Sequence, residues 1–198
     1  MRKSSWLVVA LALMLGTQVA TVAAHAQGGG FYAEGGKTWL SGSTLGGDAT
    51  TGPSGKANSL GGTFGGFYDV THLGPIGVGG DVRYSFSHDG SGARYGNELN
   101  YGALNARFSG VFFQKFPIHP YVQGGVIEAS TNYAYYTAMH GGLGYDYGVG
   151  ADVDFAPHFA VRVEYSGGGV NSLKSTQNGN ASLTFNQVQG GIVLWFGR

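Results

Sequence analysis

The stretch Leu143-Gly144-Tyr145-Asp146-Tyr147-Gly148-Val149-Gly150-Ala151-Asp152-Val153-Asp154-Phe155 alternates without a break. Leu143, Tyr145, Tyr147, Val149, Ala151, Val153 and Phe155 stand against Gly144, Asp146, Gly148, Gly150, Asp152 and Asp154. Successive side chains of a β-strand point to opposite faces, so period two reads as a strand with one greasy face and one small or acidic face. After Ala156-Pro157-His158 the pattern resumes, with Phe159, Val161, Val163 and Tyr165 set against Arg162 and Glu164. A turn centred on Pro157 places Asp152 and Arg162 at equal distances from that centre, directly across from each other, and an ion pair is predicted there.

Working outward, the segment from Ile76 repeats the form: Ile76, Val78, Val82, Tyr84 and Phe86 alternate with Gly77, Gly79, Asp81, Arg83, Ser85 and Ser87. Less regular strands are predicted at residues 30–40, 60–70, 101–113, 121–129 and 183–196, which makes eight in all. Each is close to the roughly 9 to 11 residues that cross a bilayer when tilted. In the fifth strand Gln123 and Glu128 fall on opposite faces, and a bulge or an early exit from the membrane would reconcile them.

The connections alternate in length. Short turns carry His72-Leu73-Gly74-Pro75, Phe116-Pro117-Ile118-His119-Pro120 and Ala156-Pro157-His158, whereas residues 41–59, 88–100, 130–141 and 166–182 read as long polar loops. Three short turns at one end and four long loops at the other are the connectivity of bacterial outer-membrane barrels.

Composition supports lipid on the outside. The 198 residues are 42% apolar but only 11% charged, against the roughly 25 to 35% wanted on a soluble surface. Glycine, 38 residues, suits closely packed strands and a crowded lumen better than helices. No later stretch reaches 18 consecutive apolar residues, so a spanning structure must be a closed barrel. A lipocalin-like barrel in water would share the period with its apolar set inside. The small and charged inner faces, and aromatics near predicted strand ends at Phe31, Trp39, Tyr68, Tyr84, Phe86, Tyr101, Phe112, Tyr121, Tyr145, Phe155, Phe159 and Tyr165, favour the lipid-facing orientation. The fold class expected is therefore all-β: an eight-stranded antiparallel up-and-down transmembrane β-barrel.

Ahead of the barrel, Arg2 and Lys3 precede an apolar run from Trp6 to Leu15, and Ala24-His25-Ala26 supplies a small-x-small cleavage pattern. Residues 1–26 are expected to be a cleaved Sec signal peptide, leaving a single barrel domain over residues 27–198. A formal net charge of zero offers no field for nucleic acid, and the absence of cysteine removes disulfides and thiolate chemistry.

The last strand holds the most specific motif, Gln189-Gly190-Gly191-Ile192-Val193-Leu194-Trp195-Phe196. It resembles the assembly signal of the small eight-stranded outer-membrane barrels, the family of the OmpA transmembrane domain, OmpX and the opacity-type surface proteins. The resemblance covers essentially all of residues 27–198, and Gly197-Arg198 follow the aromatic that usually closes such chains. It implies insertion by the barrel-assembly machinery, with Gln189, Gly191, Leu194 and Phe196 as the recognised positions, and outer-membrane lipid as the surrounding medium.

Eight charged residues are expected in the lumen: Glu34, Asp81, Arg83, Arg107, Asp146, Asp152, Arg162 and Glu164. They read either as a structural plug of paired charges or as an ion-pair gate in a narrow pore. His72, His119 and His158 fall one in each short turn; they are polar turn residues or, less simply, a metal or pH-responsive rim. Lipid A deacylases of the resembled family use a His and a Ser two apart on a lipid-facing strand, and no such spacing occurs here, since Ser87-His88 are neighbours and face opposite ways. Gly142-Leu143-Gly144 lacks the third glycine and the helix of a nucleotide site. No cofactor, metal or catalytic residue is expected. The leading reading is a non-enzymatic barrel presenting four extracellular loops, with tips such as Arg94-Tyr95, Tyr133, Tyr135 and Tyr136, for surface interaction, adhesion or envelope integrity. The alternatives are a narrow pore for ions or small solutes and a soluble periplasmic ligand-binding barrel.

Overall fold

The computed structural model describes residues 28–42, 55–73, 75–88, 98–110, 117–132, 139–175 and 179–196. Eight strands follow one another in chain order: β1 (Gly29–Gly42), β2 (Gly55–Leu73), β3 (Ile76–His88), β4 (Glu98–Gly110), β5 (Ile118–Asn132), β6 (Met139–Ala156), β7 (Phe159–Ser175) and β8 (Gly179–Phe196). Every strand pairs antiparallel with its sequence neighbours, and β1 pairs with β8, so the sheet closes and leaves no free edge. No described helix is long and apolar enough to cross a membrane; the strands do the crossing.

Closure settles which face is inside. Val149 is 52% exposed and Val161 47%, whereas Asp81, Asp152 and Arg162 are fully buried. A water-soluble barrel would show the reverse, because apolar surface in water is costly and buried charge more so. The outer wall is an apolar band including Phe64, Leu104, Val122, Val126, Val163 and Ile192. Phe31, Phe196, Phe155 and Phe159 gather at the short-turn end, with Phe31–Phe196 centroids 5.1 Å apart and Phe155–Phe159 at 6.2 Å. Tyr84, Phe86, Trp39 and Tyr145 project outward nearer the long-connection end.

Several local expectations require correction. Residues 166–182 read as a loop, yet β7 runs to Ser175 and β8 starts at Gly179. The run Ser166-Gly167-Gly168-Gly169 holds extended backbone because rings from β6 lie over its outer face. In register, Tyr145 faces Gly169 and Tyr147 faces Gly167, and a Cβ on Gly167 would stand 2.7 Å from the Tyr147 hydroxyl. Tyr101 and Tyr121, grouped above with the interfacial aromatics, point into the lumen, and Phe112 lies outside the described residues. No bulge separates Gln123 from Glu128 along β4–β5. Gln123 faces inward and Glu128 outward, four residues before β5 ends at the long-connection end.

Candidate functional site

The candidate site is the lumen, filled at three levels. Nearest the short turns, Tyr32, Phe67, Ala160, Val193 and Trp195 form an apolar floor. Trp195 and Phe67 meet edge to face at 5.1 Å. The Trp195 indole N–H donates to Asp154 Oδ1 at 2.9 Å, and His119 Nε2 lies 3.0 Å from Asp154 Oδ2. Ala160, the intervening inward residue of β7, is small enough to let Trp195 reach across to β6. His119 therefore belongs to β5 and to this buried floor rather than to a turn, while His72 and His158 are exposed. Among the described residues no group of three or more His, Asp or Glu is placed to hold a metal ion.

Above the floor lies a charged layer. Arg162 Nε donates to Asp152 Oδ1 at 2.6 Å and its Nη2 to Asp152 Oδ2 at 2.8 Å, across a directly registered β6–β7 pair. Arg107 Nη2 reaches the same Oδ2 at 3.0 Å from β4, on the far side of β5. Arg83 Nε donates to Asp146 Oδ2 at 2.9 Å, and its two terminal nitrogens bridge Asp146 and Glu164. Asn105 adds a bond to Asp146 at 3.0 Å; Tyr121 and Gln123 add bonds to Glu164 at 2.7 and 3.0 Å. Tyr32 donates to Asp81 at 2.8 Å. Rings complete the packing, with the Arg107 guanidinium 3.9 Å from the Phe67 centroid and 3.8 Å from that of Tyr121, and Arg162 4.0 Å from that of Tyr32. Glu34 is buried too, and its carboxylate oxygens have no hydrogen-bond partner among the described residues. All eight charged residues named from the sequence thus stand in the lumen, and seven of them share bonds in this layer.

Toward the long connections the polarity falls away. Thr63 donates to Gln189 and shares a hydrogen bond with Ser85, both at 2.8 Å. Tyr101 donates to Gln187 at 2.9 Å. Above them Leu40, Leu99, Ala103, Ile127, Ala129, Val170, Leu183 and Phe185 pack into an apolar cap. Each buried ion pair is sandwiched between apolar layers, so a guanidinium freed from its carboxylates would find little water to replace them. Chemically the arrangement is suited to holding charges still.

Three tyrosines and a histidine of this interior were missed in the sequence, although parity could have found the tyrosines, Tyr32 standing two residues from the lumen-facing Glu34. Tyr101 has the parity of Arg107, and Tyr121 that of Gln123, both of which face inward. In the last strand Gln189 faces the lumen, Leu194 and Phe196 face outward, and Gly191 sits where a Cβ would stand 2.0 Å from the Ala33 carbonyl oxygen. Ser87 is buried and His88 exposed, so the pair shares no face. The loop tips at Arg94, Tyr95, Tyr133, Tyr135 and Tyr136 lie outside the described residues.

Solved structures share this architecture. The chain is similar to Neisserial surface protein A, at 14% identity over 84% of this chain and 97% of that one, with a TM-score of 0.54. It is similar at 12% identity to Ail, the attachment invasion locus protein of Yersinia pestis, over 85% and 98% of the two chains, again with a TM-score of 0.54. The outer membrane enzyme PagL is a more distant likeness, at 13% identity over 82% and 97% of the chains and a TM-score of 0.42. No curated protein sequence matches the chain. The family model of the outer membrane protein beta-barrel domain matches residues 8–196, and with its closed antiparallel barrel, apolar outer wall and charged lumen the chain belongs to that family and to the bacterial outer membrane.

Proposed function

We propose that this barrel is a non-enzymatic surface protein that works through the extracellular ends of its strands, in surface contact, adhesion or envelope integrity. The observation that carries this reading is the filled lumen. An apolar floor, a charged layer and an apolar cap succeed one another along the axis, so a solute would have to break buried ion pairs to pass. Removing one partner of such a pair costs about 3 to 5 kcal/mol. In this reading Glu34, Asp81, Arg83, Arg107, Asp146, Asp152, Arg162 and Glu164 are a structural plug. The barrel is then a rigid mount for the connections between β1 and β2, β3 and β4, β5 and β6, and β7 and β8. Ail, one of the similar proteins, is named for attachment and invasion, and a structure of it holds the heparin analogue sucrose octasulfate.

Residues 1–26 act in the same proposal as the export signal, and Gln189, Gly191, Leu194 and Phe196 as the assembly signal. The deciding experiment is planar-bilayer recording of the refolded barrel beside adherence assays of cells that display it. A silent bilayer together with adherence that falls when residues 43–54 and 89–97 are shortened is the expected result. Defined conductance steps with unchanged adherence would move the protein to the transport class.

A further inference from the structure

Two polar side chains on the outer face of β8 use their donors differently. Thr184 donates its hydroxyl to the Ser41 carbonyl at 3.0 Å, so its donor is satisfied within the barrel. Two residues on, Asn186 only accepts: the Tyr165 hydroxyl donates to its Oδ1 at 2.8 Å, and the Tyr147 hydroxyl reaches the same oxygen at 3.5 Å. The two N–H donors of that carboxamide, and the remaining lone pairs of both phenols, are left for a partner.

Depth decides what that partner can be. Tyr165 stands six residues above Phe159, as its register partner Val149 stands six above Phe155. Six residues at about 3.3 Å each, on strands tilted near 40°, rise about 15 Å within an apolar band about 25 Å tall. Asn186, two residues beyond the Tyr165 partner Val188, is about 5 Å higher and still inside that band. Acyl chains neither donate nor accept, so only protein can satisfy these groups here.

The wall is also asymmetric about β8. On the β1 side stand Lys37, its Nζ 5.4 Å from the Trp39 ring centroid, and the register pair Gly35–Gly190, where a Cβ would meet nothing nearer than 3.8 Å. On the β7 side stand the phenols and Val163, which is 58% exposed. A cation and a hollow therefore flank Asn186 on one side, and electron-rich rings and a projecting side chain on the other.

We propose that the β7–β8–β1 wall is the interface of a homodimer, its occupant a second copy of this chain inserted in the same orientation. A two-fold axis along the membrane normal beside β8 sets each half of the patch against its complement, because β1 of one protomer then meets β7 of its partner. Lys37 lies against the partner's phenol rings, and outward side chains of the partner's β7 enter the hollow at Gly35 and Gly190. Each Asn186 donates to the partner's phenol oxygens, twice over by symmetry. The two copies of Lys37 fall on opposite sides of the axis and do not oppose each other.

The chain has no cysteine, so single-cysteine variants refolded into lipid vesicles report the interface without background. Val188→Cys on β8 should cross-link to itself under copper phenanthroline oxidation, and Val126→Cys, outward on β5, should not. Sedimentation equilibrium in density-matched micelles should show a dimer whose dissociation constant rises about tenfold in Asn186→Ala, as fits loss of two reciprocal hydrogen bonds inside a membrane. Gly35→Leu fills the hollow and should weaken the dimer as well. Gly80→Leu, at an outward glycine of β3 with similar open space, should leave the wild-type value. Heat-modifiable migration on SDS gels verifies that each variant is folded. A wild-type monomer at every protein-to-detergent ratio would overturn the interface, as would equal cross-linking at residues 188 and 126. Unchanged dissociation constants in folded Asn186→Ala and Gly35→Leu would overturn it too.

Discussion

Arg162 and Asp152 face each other across the β6–β7 pair and close a two-bond ion pair, Nε to Oδ1 at 2.6 Å and Nη2 to Oδ2 at 2.8 Å, with both side chains fully buried. Because Arg107 approaches the same carboxylate, Asp152 is the hinge of a three-membered cluster. Arg162→Ala leaves Asp152 with a single cation in a dry layer. A loss of about 3 to 5 kcal/mol is expected, read as a lower urea midpoint for the refolded barrel in micelles. An unchanged midpoint would remove the pair from the account of stability.

Trp195 ties the final strand to β6 through Asp154 while packing on Phe67. Trp195→Phe keeps most of the ring contact and removes the indole donor to a carboxylate. The expected cost is about 1.5 to 3 kcal/mol, the range for hydrogen bonds to charged groups. Equal unfolding free energies for the variant and the parent would show that this bond contributes nothing.

Gly191 and Leu194 separate packing from recognition. A Cβ at Gly191 overlaps the Ala33 carbonyl, so Gly191→Ala should lower refolding yield in pure detergent, where no assembly machinery is present. Leu194 points outward; Leu194→Ala should refold normally in detergent and accumulate less in outer membranes of cells. If the two variants behave alike in both assays, the division of roles fails.

Depth on the outer wall has its own signature. Val149 stands six residues above Phe155, near the middle of the apolar band, and Val149→Arg should cost about 2 to 4 kcal/mol. Glu128→Arg, close to the outer boundary, should cost only about 0 to 1 kcal/mol. Paired unfolding measurements in lipid vesicles check the difference, and equal costs at the two sites would contradict the depth assignment.

From the sequence by itself, alternation along the chain predicted eight strands, the small and charged inner faces together with the aromatics favoured lipid outside, and the turn at Pro157 gave the Asp152–Arg162 pairing. Alternation and hairpin register are local: once a turn is placed, each residue's face and partner follow by counting. The tertiary structure alone decided that Arg83 joins Asp146 to Glu164 and that Arg107 reaches Asp152 from beyond β5. Those contacts cross the lumen between strands that are not neighbours in chain order, so they depend on the stagger with which β1 meets β8, which no local pattern encodes. The same holds for residues 166–175, whose glycines read as loop until the tyrosines of β6 were laid over them, and for His119, whose partner Trp195 is brought to it by barrel closure.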